Sequence, residues 1–358
     1  MTIDDKQYTH SSTWNEMLSQ PDVWQTIIAQ ARESSVIRNI LKESPDRGEW
    51  LFVGCGTSFY LAEAAAISWT ILTGEPARPV PGSEVILYPD LLTTGAGEKR
   101  AVVISRSGKT SEAIRAASVL RQKVRIRTLG ITCTEDSQLA RECDQTIVLS
   151  PADEKSTVMT RSFTSMLLCL QVAAALRAQR PAFIDSLAKT AKQFAGIVRP
   201  LAEKVEAFVR RQSFADYVFL GQGPFHGIAR EAALKVMEMS CSYSQFFHAL
   251  EFRHGPKAIV SPATCLTFFV SETARDAESE VLTEMKELGG VIVAVTNRAN
   301  QEIRDASDLV IEIGADADEI ALLAPFIVPC QLMGFFTGLR KGLNPDEPKN
   351  LTRVVILD

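Results

Sequence analysis

The chain has 358 residues, 46% of them hydrophobic and 23% charged, a balance expected of a globular protein with length for about two domains. A net charge of -5 with no basic cluster argues against nucleic acid as a main partner, and no uninterrupted apolar stretch approaches the roughly 20 residues of a membrane span. The polar start MTIDDKQYTH lacks the pattern of a signal peptide, so a cytoplasmic protein is expected.

The first predicted element is helical, because Trp14, Met17 and Leu18, then Val23, Trp24, Ile27 and Ile28 recur at helical spacing. It forms an N-terminal arm over residues 1–45. Short β-branched runs follow at Trp50 to Val53, Ala101 to Ile104, Thr128 to Ile131 and Thr146 to Leu149, with amphipathic segments between them. This alternation predicts a parallel sheet covered by helices. A long helical region begins after Arg161 and is broken near Pro181. The pattern then starts again. WLFVGCGTS at 50 matches YVFLGQGPF at 217, VVISRS at 102 matches FFVSET at 268, and the segment from Leu129 matches that from Val293, at offsets of 167, 166 and 164. Three matches in one order at nearly one offset predict a tandem duplication of an α/β domain, over 46–200 and 201–358.

In an open parallel sheet, ligands bind beyond the carboxyl ends of the strands, where loops turn into helix N-termini. Three loops of the first copy fit. GCGTS ends at Ser58; SRSGKTSE carries Ser105, Ser107, Gly108 and Thr110; KSTVMTRS places Thr157 and Thr160 before a helix. Outward-pointing amides with added hydroxyls can cradle a phosphate dianion. One such loop alone is better explained by helix capping. Three in one copy favour phosphate. The second copy has GQGP and SETARD in the corresponding places, with acidic residues where the first has cations, so only the first copy is expected to grip a phosphate.

Glu231, Lys235 and Glu238 stand at i, i+4 and i+7 and project from one face of a helix that is otherwise apolar, with Ala232, Ala233, Leu234, Val236 and Met237. A surface salt bridge would satisfy this spacing; the apolar surroundings instead predict a partly buried charged trio suited to acid–base work. The seven cysteines are scattered, mostly in apolar runs and without a CxxC pair, and read as reduced core residues. The histidines form no ligand spacing with acids or cysteines. No metal and no cofactor are expected.

The motifs CGTS (55–58), SRSGKT (105–110), REAALKVMEMS (230–240), FRHGPKAIV (252–260) and PKNLTRVV (348–355) together resemble the double sugar-isomerase (SIS) domain family from about Trp50 onward. The resemblance implies two tandem flavodoxin-like domains. Within the family it looks like the isomerase half of glucosamine-6-phosphate synthase and, more closely, the deaminating ketose/aldose isomerases of amino-sugar catabolism. By this resemblance Ser58, Ser105, Ser107 and Thr110 bind the 6-phosphate of a hexose or hexosamine, with Gly56 and Thr57 alongside. Arg106 stands where the synthases usually carry glutamine and brings a cation to the phosphate. Met159 replaces a substrate-binding serine of the synthases, which leaves Thr160 as the donor in the third loop. Glu238 matches the base that moves a proton between C1 and C2, with Lys235 and Glu231 beside it, and His254 matches the ring-opening histidine. The family also implies a homodimer with shared active sites. Arg353 occupies the position of the synthases' imine-forming lysine and cannot serve as that nucleophile. The sequence has neither a glutaminase half nor a cysteine at position 2. Release of ammonia from an amino-sugar phosphate is therefore expected over synthesis, with a fructosamine-6-phosphate deglycase or a non-catalytic sugar-phosphate sensor as the alternatives.

Overall fold

The computed structural model describes residues 8–44, 48–94 and 97–357. The extreme N-terminus and the expected boundary at 45/46 lie outside them. Two compact units are present. One comprises Asp22–Glu154, Arg161–Ala188 and the tail from Thr352; the other comprises the residues up to Pro21, Lys155–Thr160 and Lys189–Leu351.

The first unit holds β1 (Gly48–Gly54), β2 (Ala77–Pro81), β3 (Glu98–Ile104), β4 (Arg127–Thr132) and β5 (Gln145–Val148), all parallel, in the order β2-β1-β3-β4-β5. The second holds β6 (Asp216–Gly221), β7 (Tyr243–Phe247), β8 (Thr264–Val270), β9 (Val291–Thr296) and β10 (Leu309–Glu312), ordered β10-β9-β8-β6-β7, the same arrangement read from the other edge. This is the flavodoxin-like order, whose switch point lies between the first and third strands of each sheet. Strands buried on both faces account for the continuous apolar runs: Leu51, Val53, Ala101 and Val103 pack in one core, Val218, Leu220, Leu266 and Phe268 in the other.

Both first strands end the same way. Gly56 (φ 55°, ψ -127°) and Gly223 (φ 52°, ψ -128°) occupy the N-cap positions of helices Thr57–Thr73 and Pro224–Ser240 in a conformation that side chains rarely adopt. Two residues earlier, a Cβ on Gly54 or Gly221 would lie 2.3 or 2.5 Å from the carbonyl oxygen of Ser58 or Phe225, so each helix can start hard against its strand only because glycine is there.

Three features depart from the sequence reading. β2, ARPVP, is a strand that periodicity does not reveal, because Pro79 and Pro81 deplete its donors; such a strand survives only at a sheet edge, where it lies. The helix Leu323–Arg340 belongs to a segment (Glu319–Arg340) of hydropathy 1.8 that is long and apolar enough to cross a bilayer, contrary to expectation. Its apolar window is wholly buried in the protein, as the helix that backs Pro224–Ser240. Finally, Cys241 is exposed, unlike the other cysteines.

Candidate active site

At the carboxyl ends of β1 and β3 the first unit presents the two loops on either side of its switch point. Thr57 and Ser58 open helix Thr57–Thr73, while Ser105, Arg106 and Ser107 precede helix Ser111–Val119. The hydroxyl of Ser105 lies 3.4 Å from that of Thr110, and the Lys109 amide donates to Ser107 Oγ at 3.1 Å. Thr110 stands at the N-cap of its helix yet makes no side-chain capping bond, whereas Ser11, Ser34, Ser137 and Asn300 all cap theirs. Capping thus does not account for Thr110. The turn depends on Gly108 (φ 58°), where a Cβ would sit 2.3 Å from Ser137 Oγ.

The Arg106 guanidinium, expected at the phosphate, has partners within the protein. It is buried, forms an ion pair with the fully buried Glu154 at 3.3 Å, and donates to the Arg353 carbonyl at 3.2 Å. A buried guanidinium requires a buried counter-ion, so its charge is compensated by Glu154 and it ties down the tail. Arg353 lies in this same unit and pairs with Asp153 at 2.8 Å. The tail continues along the loop, with the Val355 carbonyl accepting from the Ser111 amide and the Leu357 amide donating to Ser111 Oγ. Nothing in the sequence marks Glu154 as the partner of Arg106. Thr160 is fully buried in the other unit, where its carbonyl accepts from Gln331.

In the second unit the helix Pro224–Ser240 carries the charged trio. Lys235 is fully buried; its Nζ lies 2.5 Å from Glu238 Oε2 and 3.3 Å from Glu231 Oε1, and Glu231 is also fully buried. Burial alone would depress the Lys235 pKa. The two carboxylates outweigh burial and raise it, so the ammonium stays charged at neutral pH. The helix is held by close packing: a Cβ on Gly334 would be 2.8 Å from the Lys235 carbonyl oxygen, and one on Gly338 2.3 Å from that of Met239. Glu238 alone of the trio opens onto a cavity, of 530 Å³, which it lines with Leu234, Met237, Cys241, Ser242, Tyr243, Lys349 and Leu351. The arrangement is a carboxylate at a cavity wall, oriented by a buried cation whose other partner is a buried carboxylate. His254 is exposed between the short turns Glu251–Arg253 and Pro256–Ile259 and does not line this cavity. His226 and His248 stack face to face at 3.8 Å, a pair that the sequence reading passed over. Among the described residues no group of histidines, cysteines and carboxylates is arranged to hold a metal ion.

The SIS domain model matches residues 46–176 and 216–337, and the chain belongs to that family. It is 30% identical over 322 residues to a glutamine–fructose-6-phosphate aminotransferase (isomerizing) of Pyrobaculum aerophilum, covering 86% of this chain and 51% of the relative. The chain thus spans about half the length of that relative. A Streptomyces coelicolor protein, provisionally named a D-galactosamine-6-phosphate deaminase, is 29% identical over 356 residues, with 94% and 91% covered. The crystal structure of glucosamine-6-phosphate deaminase from Thermotoga maritima superposes with a TM-score of 0.76 at 27% identity, covering 97% of this chain and all of that one.

Proposed function

We propose that the protein is a sugar-phosphate isomerase that releases ammonia from a hexosamine 6-phosphate. The observation that carries this reading is the Glu238 carboxyl, 2.5 Å from the buried Lys235 ammonium and set at a cavity wall. In the proposed reaction its carboxylate takes the C2 proton of the open-chain amino aldose and returns it to C1. The enolamine so formed becomes a ketimine, and water adds to C2 and expels ammonia, leaving the ketose phosphate. Lys235 holds the carboxylate in place and Glu231 keeps Lys235 charged. The hydroxyls of Ser58, Ser105, Ser107 and Thr110 are assigned to the phosphate, and His254 to ring opening, supplied by the second chain of a homodimer. Relatives named as a deaminase and as an isomerizing aminotransferase support the same chemistry.

The test is Glu238→Gln, assayed for ammonia and ketose phosphate across a panel of hexosamine 6-phosphates. The amide keeps the shape and removes the base, so turnover should fall by about 10²-fold or more while sugar-phosphate binding persists. Near wild-type turnover would remove Glu238 from the mechanism. A second reading, cleavage of a 6-phosphofructosamine from an amino acid, draws on the walls of the same cavity. Leu234, Met237, Tyr243 and Leu351 could face an apolar substituent and Lys349 its carboxylate. The panel separates the two readings when an N-substituted substrate is included.

A further inference from the structure

The second copy has its own loop at the corresponding strand end, and that loop is already filled. Ser271, Glu272 and Thr273 follow β8 as Ser105, Arg106 and Ser107 follow β3, at the offset of 166. The Glu272 and Thr273 amides donate to Glu319 Oε2 at 2.8 and 3.1 Å, and the Thr273 hydroxyl donates to Glu319 Oε1 at 2.5 Å. Two adjacent amides and a hydroxyl on one oxyanion is the donor set expected around a phosphate oxygen. Here the oxyanion is the chain's own carboxylate.

Two further observations point to an anion site rather than a tight turn. Glu278 is 1% exposed and accepts from the Ser271 amide and hydroxyl through Oε2, while its Oε1 has no hydrogen-bond partner among the described residues. A buried carboxyl with one unpartnered oxygen, pushed up to about 7 chiefly by burial and further by the Glu319 carboxylate, has a proton to offer an oxyanion that takes the place of Glu319. Arg275, a cation at the position of Lys109 where the sequence reading saw acidic replacements, likewise has a buried Nε without a hydrogen-bond partner among the described residues and a 3.8 Å contact to Glu272.

We infer that the second copy retains a latent site for a phosphomonoester or inorganic phosphate, kept closed by Glu319 acting as an internal competitor. This inference rests on the reading of the first-copy loop as a phosphate cradle. Glu319 begins the turn Glu319–Leu322 that leads into helix Leu323–Arg340, whose glycines pack on the helix of Lys235 and Glu238. Displacing Glu319 would thus be felt at the helix proposed to be catalytic.

The test is calorimetric titration of the full chain with inorganic phosphate, using Glu319→Ala, the milder Glu319→Gln, and each in a Ser105→Ala/Ser107→Ala background. Circular dichroism checks folding. Wild type should bind one phosphate and Glu319→Ala two, the new site at least tenfold tighter than any trace of it in wild type. In the double-serine background, Glu319→Ala should keep one site that wild-type Glu319 lacks. Glu319→Gln, which can still accept from one amide, should fall between. Unchanged stoichiometry in both folded Glu319 variants overturns the inference. A site gained on Glu319→Ala with none in wild type leaves the inference standing and instead sinks the assignment of the first-copy loop.

Discussion

Replacing Lys235 by Met tests whether the trio is a buried charge cluster or a dispensable salt bridge. Met has nearly the length of the Lys stem, so packing survives while the ammonium is lost. Glu231, fully buried, then has lost the cation 3.3 Å from its carboxylate. At that separation and an effective dielectric constant near 20, the lost attraction is about 5 kcal/mol. Removing one partner of a buried pair costs roughly 3–5 kcal/mol in general, so the two figures agree. Urea unfolding should therefore show a loss of about 4 kcal/mol at neutral pH. Glu231→Gln combined with Lys235→Met should recover most of it, because the buried charge that Lys235 balanced is gone. A single-variant loss below about 1 kcal/mol, or a double variant no better than the single, would refute the claim that these charges are buried and coupled.

Two other perturbations follow from the geometry. The Glu278 pKa is raised from an ordinary 4.5 to about 7, so its protonated form stabilises the fold fully below pH 4.5, and that contribution, about 3 kcal/mol, is lost as pH rises through 7. Glu278→Gln should flatten the stability profile over this window and melt higher than wild type at pH 8; a parallel shift at all pH values would contradict the assignment. Gly334→Ala puts a methyl 2.8 Å from the Lys235 carbonyl oxygen and 2.9 Å from Met239 Cε. Opening that contact should cost about 1–3 kcal/mol and lower kcat, and a stabilised variant with full turnover would show that the two helices can part without consequence.

Much of the site was legible in the sequence because it is local. The spacing of Glu231, Lys235 and Glu238 sets one helical face whatever the helix packs on. Gly56 and Gly108 announce turns through backbone demands that act within a few residues. Strand runs such as Val102 to Ile104 announce burial through composition alone. What the sequence could not carry are pairings between residues far apart along the chain: Arg106 with Glu154, the tail with Ser111, Glu319 with the loop at Thr273. β2 belongs with these, since its prolines are tolerable only at a sheet edge, and being an edge is a property of the whole sheet. The deciding physics is charge in a low-dielectric interior. A carboxylate or guanidinium reads the same in sequence whether solvated or buried, and only the fold determines which counter-ion or amide must meet it once water is gone.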